Sequence, residues 1–218
     1  MMSHTFIVAD DHPLFRGALR EILSSLPGEH QIVEAKDFDE AVAALARYQE
    51  ADLLLLDLAM PGSDGLSGLA LLRAEHAGIP VAIVSGSEDG RLIRHALDLG
   101  ASGFIPKSSG FEEIRAAIAS ILGGDVHLPP HILPDGESDP EVAELIGRMR
   151  TLTPQQTRVL TMLGKGLLNK QIAYELGISE ATIKAHVSAV LGKLGVDSRT
   201  QAVIRLSRLN AGRDGSAT

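Results

Sequence analysis

Five side chains in the first half of the chain have the types to do chemistry together. Asp10 and Asp11 are adjacent in IVADDHP, Asp57 stands in LLLLDLAMPG, Ser85 in VAIVSGS and Lys107 in GFIPKSS. Three carboxylates brought to one place repel each other unless a cation lies between them, and a hard oxygen site with open positions suits Mg²⁺. Such an ion could also grip an incoming phosphoryl group, with Lys107 as a further positive point charge and Ser85 as a hydroxyl donor to its oxygens. Each residue also has a plainer use: an Asp after a strand usually forms a turn or caps a helix. Independent turn chemistry, however, would not set acid, acid, hydroxyl and amine at successive strand ends. His12 shares no ligand spacing such as HxxxH with the other histidines, and reads as a loop residue beside the site.

These residues need a scaffold that brings strand ends together. Short apolar runs at residues 6–9, 31–35, 52–56, 81–84 and 103–105 alternate with helical patterns through the first 122 residues. Leu19, Ile22, Leu23 and Leu26 illustrate the helical spacing, as do Phe111, Ile114, Ile118, Ile121 and Leu122. Alternation of this kind predicts an α/β fold, a parallel doubly wound sheet with helices on both faces. Ligands of such sheets bind beyond the carboxyl ends of the strands, where strand order reverses. Asp10, Asp11, Asp57, Ser85 and Lys107 all fall on that rim.

Composition sets the outer limits. The 218 residues are 44% hydrophobic and 22% charged, an ordinary globular balance. The absence of cysteine excludes disulfides, thiolate catalysis and cysteine-based zinc sites. Without an apolar run of the roughly 18 residues that a span requires, or a basic N-terminal leader pattern, the chain reads as cytoplasmic with no membrane partner. The net charge of −8 is unevenly spread: residues 1–125 carry −10, residues 126–150 carry −3, and residues 151–218 carry +5. Only the C-terminal third is suited to meet a polyanion.

The first 122 residues resemble the receiver domain of bacterial two-component response regulators, through the acidic pair Asp10 and Asp11, DLAMPGSDG around Asp57, Ser85 and GFIPK ending in Lys107. The resemblance implies a flavodoxin-like strand order 2-1-3-4-5 and phosphorylation of Asp57 by a sensor histidine kinase or a small phosphodonor. It also implies Mg²⁺ held by Asp11, Asp57 and the backbone carbonyl of Ala59, with Asp10 acting largely through water. Ser85 and Phe104 would be the switch pair, and Phe104 stands where the family more often has Tyr. Ala59 and Ser87, both small, would flank the path of an attacking water.

After Gly123-Gly124 the alternation stops. Pro129, Pro130, Pro134 and Pro140, with Asp135, Glu137 and Asp139, read as a linker over 125–150 that runs into a short helix near residues 141–149. Residues 151–212 read as an all-α second domain and 213–218 as a tail. Thr153-Pro154-Gln155-Gln156 is a helix start with a hydroxyl cap, Pro at the first position and Gln at the third. A second start follows Leu167-Leu168-Asn169, and a third at Ser179-Glu180 comes after the tight turn LGIS, giving a helix-turn-helix pattern. In the third helix Ile183, Val187, Val190, Leu191 and Leu194 make an apolar face, leaving Ala181, Lys184, Ala185, Ser188 and Gly192 outside. Small outer side chains let a helix sit deep in a major groove, where Lys184 can reach guanine acceptors and Lys193 a phosphate.

This segment is similar to the LuxR-type DNA-binding domain of NarL/FixJ regulators, through LTPQQTRVL, GLLNKQIAYELGISEATIKAHVSAVLGKLGV and SRTQAV. The resemblance implies double-stranded DNA as a partner, a recognition helix over 180–194 with Lys184, Ala185 and Ser188 toward bases, and backbone contacts from Lys170, Thr182, His186 and Lys193. It further implies a homodimer when active, formed through Ala202, Val203, Leu206 and Leu209. Two positions depart from the family. Gln155-Gln156 replaces a frequent Arg-Glu, and Leu168 replaces a frequent Ser whose loss as a cap would cost about 1 kcal/mol unless Asn169 takes over. Two other readings stay open: a DNA-binding regulator that works without phosphate, and a Mg²⁺-dependent phosphohydrolase, for which Ala59 stands where a second Asp would be expected.

Overall fold

The computed structural model describes residues 3–129 and 140–209. The N-terminal part is a parallel sheet of five strands, β1 (Ser3–Ala9), β2 (Glu29–Ala35), β3 (Leu53–Asp57), β4 (Val81–Ser85) and β5 (Gly103–Pro106), in the order β2-β1-β3-β4-β5. The helices between and after them are α1 (Pro13–Ser24), α2 (Phe38–Arg47), α3 (Leu66–Glu75), α4 (Gly90–Asp98) and α5 (Phe111–Leu122). Strand residues alternate between two cores. Phe6, Val8, Leu53, Leu55 and Val84 pack on α1 and α5, whereas Ile7, Leu54, Leu56, Ile83 and Phe104 face α2, α3 and α4. Burial on both faces explains why these strands read as unbroken apolar runs.

The stretch expected as a linker is structured at both ends. His127 pairs in parallel with Gly103, accepting at its carbonyl from Phe104 N–H at 3.0 Å and donating to Ser102 O at 3.1 Å, so the chain leaving α5 runs along the β5 edge. Pro130, Pro134 and the three acidic residues before Pro140 lie outside the described residues. The short helix, α6 (Pro140–Met149), buries Val142, Leu145, Ile146 and Met149. It is part of the C-terminal packing, with contacts to α4 as well as to the last two helices.

The rest is helical: α7 (Pro154–Gly164), α8 (Asn169–Leu176), α9 (Glu180–Leu194) and α10 (Arg199–Leu209). Thr153 Oγ1 accepts from Gln156 N–H and Gln156 Oε1 accepts from Thr153 N–H at 3.1 Å, the reciprocal cap that the sequence suggests for α7. Gly177 ends α8 at φ +66°, a left-handed turn that costs a glycine no Cβ strain and lets α9 begin at once. Ser179 then caps α9 by accepting from Thr182 N–H at 3.1 Å. The apolar core on the α3 side of the sheet continues without a break into α6, α7 and α10 through Leu152, Leu160, Leu206 and Leu209. Among the described residues, no helix is long and apolar enough to cross a membrane.

Candidate functional site

The order of the strands puts the chemistry in one place. The chain steps from β1 to β2 on one side and to β3 on the other, so the sheet reverses direction between β1 and β3. Asp10 follows the end of β1, and Asp57 is the last residue of β3. Asp57 is wholly buried. Its Oδ1 accepts from Ala59 N–H at 2.9 Å and its Oδ2 from Lys107 Nζ at 2.9 Å. Burial pushes the Asp57 carboxyl above its usual range, against the opposing pull of these two donors. Lys107 also lies 2.7 Å from Asp10 Oδ2. Burial works against its charge, but the nearby carboxylates of Asp10 and Asp57 outweigh it and hold the ammonium above its ordinary value. The Phe15 ring, 5.1 Å from Nζ, lies along the same ammonium.

The acidic pair is held from behind. Arg16 donates to the Asp10 carbonyl at 2.7 Å while pairing with Glu34, and His12 N–H donates to Asp10 Oδ1 at 2.7 Å. Two buried carboxylate oxygens, Asp10 Oδ2 and Asp11 Oδ1, nonetheless accept no aligned hydrogen bond. Their close neighbours, Lys107 Nζ at 2.7 Å and His12 Nδ1 at 2.8 Å, are ion contacts without that alignment. Acceptor-only atoms left this way inside a pocket are what a hard cation needs, and Asp10, Asp11, His12 and Asp57 offer ligand atoms all within 4.8 Å of one another. The donor set therefore fits a divalent ion.

Ser85 ends β4, buried, with Oγ accepting from Ser87 N–H at 3.2 Å. Its carbonyl accepts from Lys107 N–H at 2.7 Å, which ties the hydroxyl position to the lysine position. Phe104 is fully buried in β5 beside Ile83. The loop after Asp57 is fixed by Ser63, whose buried hydroxyl donates to Leu58 O at 2.6 Å. Gly68 on α3 allows this loop to close, since a methyl there would lie 2.2 Å from Ser63 O.

On α9 the outer residues Ala181, Lys184, Ala185 and Ser188 are exposed, as are Thr182 and, on α8, Lys170. Lys184 pairs with Glu180 one turn back at 3.2 Å, and Thr182 Oγ1 lies 2.8 Å from Ser179 Oγ. His186 is half-buried. Lys193 is placed differently from expectation. Its ammonium donates to Thr151 O at 2.7 Å and Gln156 Oε1 at 2.8 Å, bracing α9 against the start of α7. Gln156 thus fills with a neutral acceptor the place where an acid would have made an ion pair.

The expected dimer residues lie mostly inside the chain in this structure. Ala202, Leu206 and Leu209 are buried within the chain, where α10 packs on α6 and α7, and Val203 is half-buried. The large apolar side chain that α10 exposes is Ile204, at 51%. A helix with apolar residues at two faces does not say from sequence which face its own domain takes. Also missed was the contact between the two parts of the chain: Arg158 of α7 donates through Nη2 at 2.9 Å, and through Nε, to the two carboxylate oxygens of Glu75 on α3. Single charges on two separate amphipathic helices carry no signal of such a pairing.

The family described as response regulator receiver domain matches residues 6–119, and bacterial regulatory proteins of the luxR family match residues 150–206. The glycerol metabolism activator of Pseudomonas putida is 43% identical over 208 residues, covering 92% of this chain and 94% of the relative. The nitrate/nitrite response regulator protein NarP of Escherichia coli K12 is 35% identical over 206 residues, covering 91% and 92%. Among solved structures, the RcsB response regulator of Salmonella typhimurium shares the fold with a TM-score of 0.55 at 23% identity, over 95% of this chain and 100% of that one. The chain belongs to the two-component response regulators. Within that class it joins a receiver domain to a LuxR-family domain, as transcriptional regulators of the NarL and NarP type do.

Proposed function

We propose that Asp57 is the phosphoacceptor of this regulator and that phosphorylation controls its binding to DNA. The observation that carries the proposal is the state of Asp57: buried, oriented by Ala59 N–H and Lys107, and set beside two carboxylate oxygens that lack aligned donors. A carboxylate oxygen of Asp57 attacks the phosphorus of a phosphohistidine on a sensor kinase, or of a small acyl phosphate. The new O–P bond forms as the donor's N–P or O–P bond breaks, and the electron pair leaves with the donor. Lys107, already at 2.9 Å from Asp57, then neutralises the oxygens of the acyl phosphate, and Ser85 donates its hydroxyl to one of them. Asp10, Asp11 and Asp57 would hold Mg²⁺, with the Ala59 carbonyl as a further ligand; when bound, the ion supplies the charge that offsets carboxylate and phosphoryl repulsion. Ala59 presents only a methyl where a phosphohydrolase would carry a general acid, which speaks against turnover of a phosphate ester.

The DNA-facing set is Lys184, Ala185 and Ser188 for bases and Lys170, Thr182 and His186 for the backbone, with Lys193 left to structure. A homodimer on paired half-sites would form through the outward side of α10 around Ile204. Such a protein works where its DNA is, in the cytoplasm. Intact mass after incubation with Mg²⁺ and an acyl phosphate is expected to show one added phosphoryl group on the wild type and none on Asp57→Asn. Binding of phosphorylated protein to its operator should then lose discrimination in Lys184→Ala by about 1–3 kcal/mol at one base pair. Equal phosphorylation of Asp57→Asn would sink the acceptor assignment, and unchanged discrimination the base-reading one.

A further inference from the structure

A cavity of about 360 Å³ lies in the seam between the receiver and the helical part, lined by α3 and the end of α4 on one side and by the end of α6 and the start of α7 on the other. That volume is at the lower end of what small-molecule sites occupy. Leu99, Met149 and Leu152 give it apolar wall, and two guanidiniums, Arg73 and Arg150, complete it. Among the described residues no acidic side chain lines it, although the chain as a whole carries −8. Arg73 is half-buried, and its terminal nitrogens donate only to backbone carbonyls, to Ile79 O at 2.6 Å and Ala77 O at 3.0 Å. Burial pushes this guanidinium below its ordinary value, with no carboxylate beside it to offset the effect. Its Nε has no acceptor among the described residues, and Gly100 next to it brings no side chain to cover it: a methyl there would lie 3.3 Å away. Arg150 gives Nη2 to the Asp98 carbonyl at the end of α4 and is otherwise exposed, so the seam opens to solvent at that side.

A cation drawn out of water costs free energy until a counter-charge meets it. The planar fork of arginine matches a carboxylate or phosphate group with two parallel bonds, and the apolar wall beside it suits a short carbon chain. We propose that this cavity binds a small organic anion, a carboxylate or phosphate group on an apolar body of a few carbons, between Arg73 and Arg150. Arg73 belongs to the receiver and Arg150 follows α6, so a bound anion ties the two parts of the chain across their seam. The site is separate from the carboxylate pocket and does not depend on the chemistry of Asp57. The competing role for the two arginines, fastening loop and helix-end carbonyls, predicts no ligand at all.

The test uses the full-length protein carrying ¹⁵N only in its arginines, without added metal and at constant ionic strength. The arginine Nε–H signals are followed by nuclear magnetic resonance during titration with butyl phosphate, butyrate and inorganic phosphate. The expected result is a saturable shift of the Arg73 and Arg150 signals with an organic anion. Affinity should fall about tenfold or more in Arg150→Met and stay within about a factor of two in Lys184→Ala, which removes a distant cation. Arg150 is exposed, so its replacement leaves the fold intact. Tighter binding of butyl phosphate or of butyrate names the head group. Inorganic phosphate held as tightly as butyl phosphate would overturn the apolar part of the assignment. Shifts that grow without saturating, or affinity that survives Arg150→Met, would overturn the site and leave the arginines to their carbonyls alone.

Discussion

A buried carboxylate at the centre of a functional site is a liability until its partners arrive. Asp57 is raised by burial, and the donors Ala59 N–H and Lys107 offset this only in part. A group whose folded pKa lies above its unfolded one is favoured in its protonated form by folding, so its stabilising contribution is present in acid and lost as the pH rises through the folded pKa. The Asp57→Asn variant, which keeps the shape without the charge, is therefore expected to be more stable than wild type at neutral pH in the absence of metal, by about 1 kcal/mol. That advantage should shrink toward zero as the pH falls below the ordinary carboxyl range. Denaturant melts of both proteins from neutral pH into acid check this, and addition of a divalent ion should stabilise the wild type alone. A constant difference across the range would mean that charge at Asp57 is not what costs stability.

At the scale of elements, the caps show where the chain is well tuned and where it is not. The reciprocal bonds of Thr153 and Gln156 start α7, and Ser179 starts α9. At α8 the cap position is Leu168, extended in backbone and 64% exposed, with no side-chain acceptor to offer. Only the return half of the pair forms: Gln171 Oε1 accepts from Leu168 N–H at 2.7 Å. Asn169 is the first residue inside the helix and does not take over the cap. Leu168→Ser is expected to stabilise the protein by about 1 kcal/mol, because it adds an acceptor for Gln171 N–H and gives up little buried apolar surface. Chemical denaturation measures this directly, and no gain would mean that the Leu168 carbonyl, which already accepts from Gln171 N–H at 2.8 Å, leaves nothing for a hydroxyl to add.

At the scale of the whole molecule, the receiver and the helical domain share one face. α3 lies against α7, and α4 against α6. Glu75, only 9% exposed, takes both donors of Arg158; Arg150 reaches the Asp98 carbonyl; and Lys165 lies 3.6 Å from Asp64, at the end of the loop that starts at Asp57. The outer face of α9 stays open in this arrangement, and what the receiver engages is α6, α7 and the packed side of α10. A double-mutant cycle on Glu75→Gln and Arg158→Met should give a coupling of about 1 kcal/mol. Each single change should speed amide exchange in α7 while sparing the sheet. Strictly additive effects would show that the Glu75–Arg158 pair does not help hold the domains together.

Sequence by itself determined the alternation of strand and helix, hence the doubly wound sheet, and it placed Asp10, Asp11, Asp57, Ser85 and Lys107 on one rim. It did so because periodicity is a local property and because the rim of a parallel sheet is fixed by where strands end. The helix-turn-helix was legible for the same reason, through caps and a left-handed glycine. Only the tertiary structure decided that His12 turns Nδ1 into the acidic pocket, that Lys193 is used for bracing, and that Ala202, Leu206 and Leu209 belong to the core. It also decided that Arg158 finds Glu75. Those outcomes depend on which of two neighbours a side chain meets across tens of residues of intervening chain, and an amphipathic pattern records only that a face is buried, not what buries it.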